Sequence, residues 1–115
     1  MQKDNLFYIG HIKTCIEKIQ QYTAGFSEED FLNNALVQDA VIRNFEIIGE
    51  ATKKLAPAFK EQYPAIPWRK IAGMRDKLIH DYIGVDLEAV WAVVTDILPT
   101  FLSQLNKISL QQGPN

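Results

Sequence analysis

At 115 residues, 47% hydrophobic and 23% charged, the chain suits one globular domain over 1–115 with a modest core and leaves no room for a second of ordinary size. A formal net charge of −2 and a pI near 5.6 exclude a broad basic footprint for long nucleic acid, so any RNA contact must be local and few-phosphate. One cysteine excludes an internal disulfide, and neither a signal-peptide pattern nor an apolar run near the roughly 18 residues of a membrane span is present, so no membrane and a cytoplasmic setting are expected.

In chain order, Tyr8, Ile12, Cys15, Ile16, Ile19 and Tyr22 recur at helical spacing, with Lys13, Glu17, Lys18 and Gln21 on the other side. This predicts a first helix ending near Gly25, with Cys15 a buried structural thiol. Ser27 followed by Glu28, Glu29 and Asp30 reads as an N-cap with acidic first-turn residues, where the helix dipole favours negative charge, so a short second helix runs through Leu32. From about Asn34 a long amphipathic pattern carries Leu36, Val37, Ala40, Val41, Phe45, Ile48, Ala51 and Leu55, with Pro57 at its end or opening a new turn. Residues 60–67, which hold Pro64 and Pro67, read as an extended connector, and Pro67 suits the first position of a fourth helix. Gly84 can close that helix in a left-handed conformation. Asp86 can cap a fifth, with Leu87, Val90, Trp91, Val94, Ile97, Leu98, Phe101, Leu102 and Leu105 as its stripe and Pro99 as a kink. No period-2 strand or internal repeat appears, and residues 107–115 read as a frayed tail. The predicted fold class is all-α, an antiparallel bundle of four to five helices that bury their stripes against one another.

The fourth helix concentrates the chemistry, because Arg75, His80 and Tyr82 fall within eight residues. On a regular helix Arg75 shares a stripe with Ile71, Leu78, Ile79 and Tyr82. An arginine there packs its stem and pairs its head with an acid of the third helix, for which Glu50 is the best candidate. His80 points about 140° round the axis from Arg75. Both reach one phosphate only if the helix loosens near His80 or a second copy of the chain completes the site, and the second copy is favoured. Metal-independent RNA cleavage needs one group to take the 2′-hydroxyl proton, another to protonate the leaving 5′-oxygen, and a cation for the phosphorane charge. A two-fold homodimer supplies two copies each of His80 and Arg75 across one groove. Asp76, four residues before His80, can orient its imidazole; Lys77 faces solvent or pairs with Asp81. No His or Cys pair has metal-ligand spacing.

Arg75-x-x-x-x-His80-x-Tyr82, preceded by Ile71-Ala72-Gly73-Met74 and followed by Gly84-Val85-Asp86, resembles the HepT-like branch of the HEPN superfamily. Phe45-Glu46-Ile47-Ile48-Gly49-Glu50-Ala51 and Ile66-Pro67-Trp68-Arg69 are similar to it as well, so the resemblance covers about Leu32 to Leu105. It implies a helical homodimer acting as a metal-independent endoribonuclease without a cofactor, with Arg75 and His80 in the active site. It also implies a toxin–antitoxin pair with a nucleotidyltransferase of the MNT type, which attaches AMP to the motif tyrosine, here Tyr82, and silences the nuclease. Such an adduct brings phosphate charge beside the cations that RNA needs. One departure is Asp76, where members of the branch often carry asparagine after the arginine.

For each residue a plainer role stands beside the functional one. A lone helical histidine is more often a hydrogen-bonding group than a catalyst, and Tyr82 on an apolar stripe is by default a core residue with its hydroxyl at the rim. Glu50 ties Arg75 in place; Asn44, near the same level, is a supporting residue of the same kind. His11 is assigned no role, and Trp68 and Trp91 are packing residues. Two other readings of the whole remain beside the ribonuclease: a non-catalytic subunit presenting RNA or nucleotide to a nucleotidyltransferase, and a plain dimerisation module.

Overall fold

The computed structural model describes the backbone of residues 4–80 and 85–112 and the side chains of 4–77 and 85–108. Tyr82, Asp81 and Gly84, and with them the expected left-handed helix closure, lie outside the described residues, as does the side chain of His80. Among the described residues the chain is all-α, with no strand.

The first helix, α1 (Asn5–Tyr22), starts at Asp4, whose carboxylate accepts from the Phe7 N–H at 2.8 Å. It ends three residues before Gly25, which takes a φ of 77°, a left-handed conformation that glycine adopts without a steric penalty. Then α2 (Glu28–Leu32) opens with the expected Ser27 cap, made reciprocal because Asp30 also accepts from the Ser27 N–H. The long α3 (Ala35–Lys53) is capped by Asn34.

The link from α3 to the next long helix is not the expected extended connector. Pro57 opens a short helix, α4 (Pro57–Glu61), and turns follow to Ile66. What compacts this link is Trp68: its indole N–H donates to the carbonyls of Lys60 (3.1 Å) and Tyr63 (3.2 Å), while its ring packs edge-on to Phe101. Two prolines suggested extension, but a buried donor needs acceptors, and the folded link provides them. Trp68 is the first residue of α5 (Trp68–His80), so Pro67 stands at the cap position, its carbonyl accepting from the Ile71 N–H, one residue earlier than expected.

The last helical stretch runs from Asp86, whose side chain caps as predicted, through α6 (Leu87–Ala92), a π-helical turn (Val93–Ile97) and α7 (Leu98–Gln112). Pro99 therefore produces a wide turn just ahead of it. Its ring clashes with the carbonyl four residues back and it lacks an N–H; bonding Leu98 N–H to the Val93 carbonyl lets the helical path continue. The expected tail is also shorter, because Ile108, 1% exposed, extends the apolar stripe and the helix persists to Gln112.

In the bundle, α3 packs on α1 along one side and on α5 along another, α7 closes against α1, and α2 docks on α3 and α6. One core joins them, including Ile12, Ile16, Ile19, Phe31, Val41, Ile48, Leu98, Phe101 and Leu105. Trp91 stacks on Phe31 at the α2–α6 contact, and Cys15 is buried, which pushes its thiol pKa up despite nearby Lys18. The two exposed large residues of the predicted stripes are Leu36, in the first turn of α3, 80% exposed, and Tyr22, at the last turn of α1, 39% exposed. Both sit at helix ends, where the stripe outruns the partner helix that would cover it.

Trp68→Phe keeps the ring and removes its donor. It is expected to lower the unfolding free energy by about 1–2 kcal/mol, as a shift of the urea midpoint at unchanged slope; an unshifted midpoint would show that the two carbonyls do not depend on the indole.

Candidate active site at the α3–α5 contact

Arg75 sits in the middle of α5, on the side packed against α3. The two helices meet so closely there that a Cβ added to Gly49 would stand 2.2 Å from the Arg75 Cβ and 3.3 Å from its Cα. No side chain other than hydrogen fits between them, so the arginine stem lies directly on the α3 backbone. One residue on, Glu50 reaches the arginine head: its Oε2 lies 3.3 Å from Arg75 Nε, the pair expected from the sequence.

The second anchor is Asp76. Its Oδ1 accepts from Arg75 Nη1 at 3.3 Å and from Lys53 Nζ at 2.5 Å. The hydrogen bond from Lys53 is the main reason its carboxyl titrates below the usual range; partial desolvation opposes this, and the Arg75 hydrogen bond adds to it. Glu50, Lys53, Arg75 and Asp76 thus form a neutral cluster of two anions and two cations at neutral pH. All four are partly open, from 32% exposure at Arg75 to 50% at Glu50. Solvent screens such pairs, so the cluster matters more for orientation than for stability. Arg75 is fixed through Nε and Nη1, whereas Nη2 has no hydrogen-bond partner among the described residues. It is a donor held in place and still available to an anion.

The remaining expected site residues divide. His80 is the last residue of α5, five positions beyond Arg75, with its side chain outside the described residues; so is the expected contact from Asp76 to its imidazole, and so is Tyr82. Asn44 is buried on α3 and donates to the Ala40 carbonyl at 2.8 Å, a bond within its own helix. None ties it to Arg75 among the described residues. Gly49 and Lys53 are the participants that residue-by-residue reading missed. Gly49 had a signal, for a glycine inside a helix sacrifices about 1 kcal/mol relative to alanine and so marks a close approach. Lys53 had none, because its partner is 23 positions away on another helix. Among the described residues no group of three His, Cys, Asp or Glu side chains is placed to hold a metal ion, and no helix is long and apolar enough to cross a membrane.

A family model described as ribonuclease HepT-like matches residues 12–108, which include α3, α5 and this cluster. The chain belongs to the HepT-like ribonuclease family. A probable ribonuclease HepT of Thermococcus cleftensis is 43% identical to this HepT-like chain over 108 residues, which cover 94% of the chain and 98% of that protein. A protein of Methanocaldococcus jannaschii, named for gamma-glutamylcyclotransferase and, provisionally, RNase activity, is 47% identical over 115 residues. There the HepT-like chain is covered entirely but spans only 52% of the longer protein. A protein of Caldanaerobacter subterraneus subsp. tengcongensis, provisionally named an RNase, is 40% identical over 101 residues, 88% of this chain and 90% of its own length. No solved structure matches the chain.

Two outcomes follow from the cluster. Gly49→Ala is expected to destabilise the HepT-like bundle by about 1–3 kcal/mol through overpacking, outweighing a helix-propensity gain of up to about 1 kcal/mol; a denaturant midpoint that rises would contradict the close approach. Asp76 has a depressed folded-state pKa, so its stabilisation is present above the unfolded value of about 4 and is lost as pH falls through the folded one. Asp76→Asn should therefore flatten the loss of thermal stability on acidification below about pH 4, and 1 M salt should shrink the difference between the two proteins.

Proposed function

We propose that this chain is a metal-independent endoribonuclease, the toxin of a toxin–antitoxin pair, acting as a homodimer whose facing α5 helices share one active site. Its support is membership of the HepT-like ribonuclease family together with one observation: Arg75 is paired with Glu50 through Nε and bonded to Asp76 through Nη1, while Nη2 has no partner among the described residues. In the proposed reaction Arg75 holds the scissile phosphate. One His80 accepts the proton of the ribose 2′-hydroxyl, whose oxygen attacks phosphorus; the second His80 protonates the departing 5′-oxygen. The P–O5′ bond breaks as the P–O2′ bond forms, leaving a 2′,3′-cyclic phosphate and a 5′-hydroxyl. Guanidinium and imidazolium groups offset the extra charge of the phosphorane.

Two copies are invoked because one chain supplies one motif histidine for two proton transfers, and positions 75 and 80 of a regular helix lie about 140° apart. Asp76, in place of the more common asparagine, is held between Lys53 and Arg75, so its charge is largely offset where it stands. Regulation follows the same chemistry. The antitoxin is a nucleotidyltransferase of the MNT type that transfers AMP to the Tyr82 hydroxyl, releasing pyrophosphate if ATP is the donor. The bound phosphate then competes with RNA for Arg75 and His80.

The test is cleavage of total RNA in the presence of EDTA. Wild-type protein should cut, and Arg75→Ala and His80→Ala should each lose roughly 10²–10⁴-fold in rate with the fold intact. A wild-type protein that is inert but still binds nucleotide would instead support the non-catalytic partner subunit. Intact mass after co-expression with the antitoxin should gain one AMP, and Tyr82→Phe should abolish that gain.

A further inference from the structure

An open groove of about 1010 Å³ lies between α4 and α5, with Asp76 among the residues that line it. Since Asp76 bonds Arg75, the groove adjoins the candidate active site. Three cations line it, Lys60, Arg69 and Lys70, against two carboxylates, Glu61 and Asp76. Asp76 is already committed to Lys53 and Arg75, whereas among the described residues Lys60, Arg69 and Lys70 form no ion pair. The groove thus holds a local excess of uncompensated positive charge in a chain whose net charge is −2. Its walls are largely apolar, with Ile66, Pro67 and Trp68 among them; such low-dielectric walls focus the field of the cations they flank.

Gly73 bears on the width of the groove. It lies in the interior of α5, is exposed, lines the same groove, and a Cβ built there would meet nothing within 4 Å. Packing inside the chain therefore does not require a glycine, in contrast to Gly49. Gly10 in α1 is equally open, so the space itself names no ligand; at Gly73 its consequence is that the bare backbone leaves this part of the groove wide.

We propose that this groove is the track for the single-stranded RNA backbone flanking the scissile phosphate, with Lys60, Arg69 and Lys70 neutralising its phosphates and Gly73 leaving the strand room to lie against α5. From position 69 to position 76 the helix advances about 10 Å, so the track delivers a short run of backbone to Arg75. It rests on the ribonuclease reading above and adds to it where the substrate lies. The recognition is of backbone charge and not of base sequence.

The test measures binding of a fluorescein-labelled single-stranded RNA by anisotropy across a salt series, in His80→Ala protein so that the RNA stays intact. Replacing Lys60, Arg69 and Lys70 together by alanine should weaken binding at least tenfold. It should also flatten the slope of log affinity against log salt by about 2, since each neutralised phosphate contributes about 0.7 on single strands. Replacing the exposed Lys18 and Lys107 should change neither. Gly73→Leu should leave the melting temperature unchanged or raised and weaken RNA binding, because its side chain fills the groove and not the core. An unchanged salt slope in the triple variant overturns the proposal, as does a Gly73→Leu protein that loses its dimer while binding RNA normally, or an acidic peptide that occupies the groove in preference to RNA. If wild type cuts RNA and the triple variant does so with the same KM, the groove assignment falls and the nuclease stands. If groove-dependent binding is found without any cutting, the groove stands and the nuclease falls.

Discussion

The contact on which the site depends is the meeting of α3 and α5 at Gly49 and Arg75. An arginine head in water is a mobile, long-stemmed cation, and fixing it sacrifices about 2 kcal/mol of rotamer freedom. Here the stem is laid against a helix backbone that carries no side chain at that level, and the head is then bracketed by carboxylates from α3 and from α5 itself. Close packing places the guanidinium, and the charges orient it. The polar contacts alone are too open to solvent to do the placing, being a third to a half exposed. The other elements follow from this requirement: α1 packs along α3, α7 packs on α1, and Trp68 ties the start of α5 to the carbonyls of the preceding link.

Much of this was legible because it is written in local chemistry. The caps at Ser27 and Asp86 depend on one side chain meeting an N–H three residues away, and both are visible in the sequence, which also places the start of the third helix near Asn34, its cap. The Glu50–Arg75 pair was legible for a different reason: an arginine on an apolar stripe must find an acid, and α3 offers one at the right level. What failed depended on partners distant in sequence. Leu36 fits the periodicity of α3 but no helix covers it; Ile108 extends α7 because the core reaches that far. The compact link from Pro57 to Pro67 is organised by an indole that sequence reading treated only as packing, and the wide turn before Pro99 is one of two ways a helix can accommodate a proline. Lys53 is reached only through the three-dimensional pairing of α3 with α5.

The electrostatics reconcile an acidic chain with a polyanionic substrate. Apart from the exposed Lys77, the cations of α5 and of the cluster and groove beside it fall into two sets. Lys53 and Arg75 are partnered by carboxylates, and are therefore oriented but largely neutralised. Lys60, Arg69 and Lys70 line the adjoining groove without ion pairs among the described residues. The first set suits holding one phosphate in a defined pose; the second suits attracting a flexible strand. Dividing the tasks keeps the positive field local, consistent with a protein whose overall charge does not favour nucleic acid.

The most direct test of a shared site built on a fixed arginine is a crystal structure of the His80→Ala protein bound to an RNA oligonucleotide with a single 2′-deoxy substitution at the scissile position. The scissile phosphate is predicted to lie within hydrogen-bond distance of Arg75 Nη2, between two protomers whose α5 helices face each other. A phosphate bound away from Arg75, or on a single subunit whose position 80 faces no partner, would contradict it.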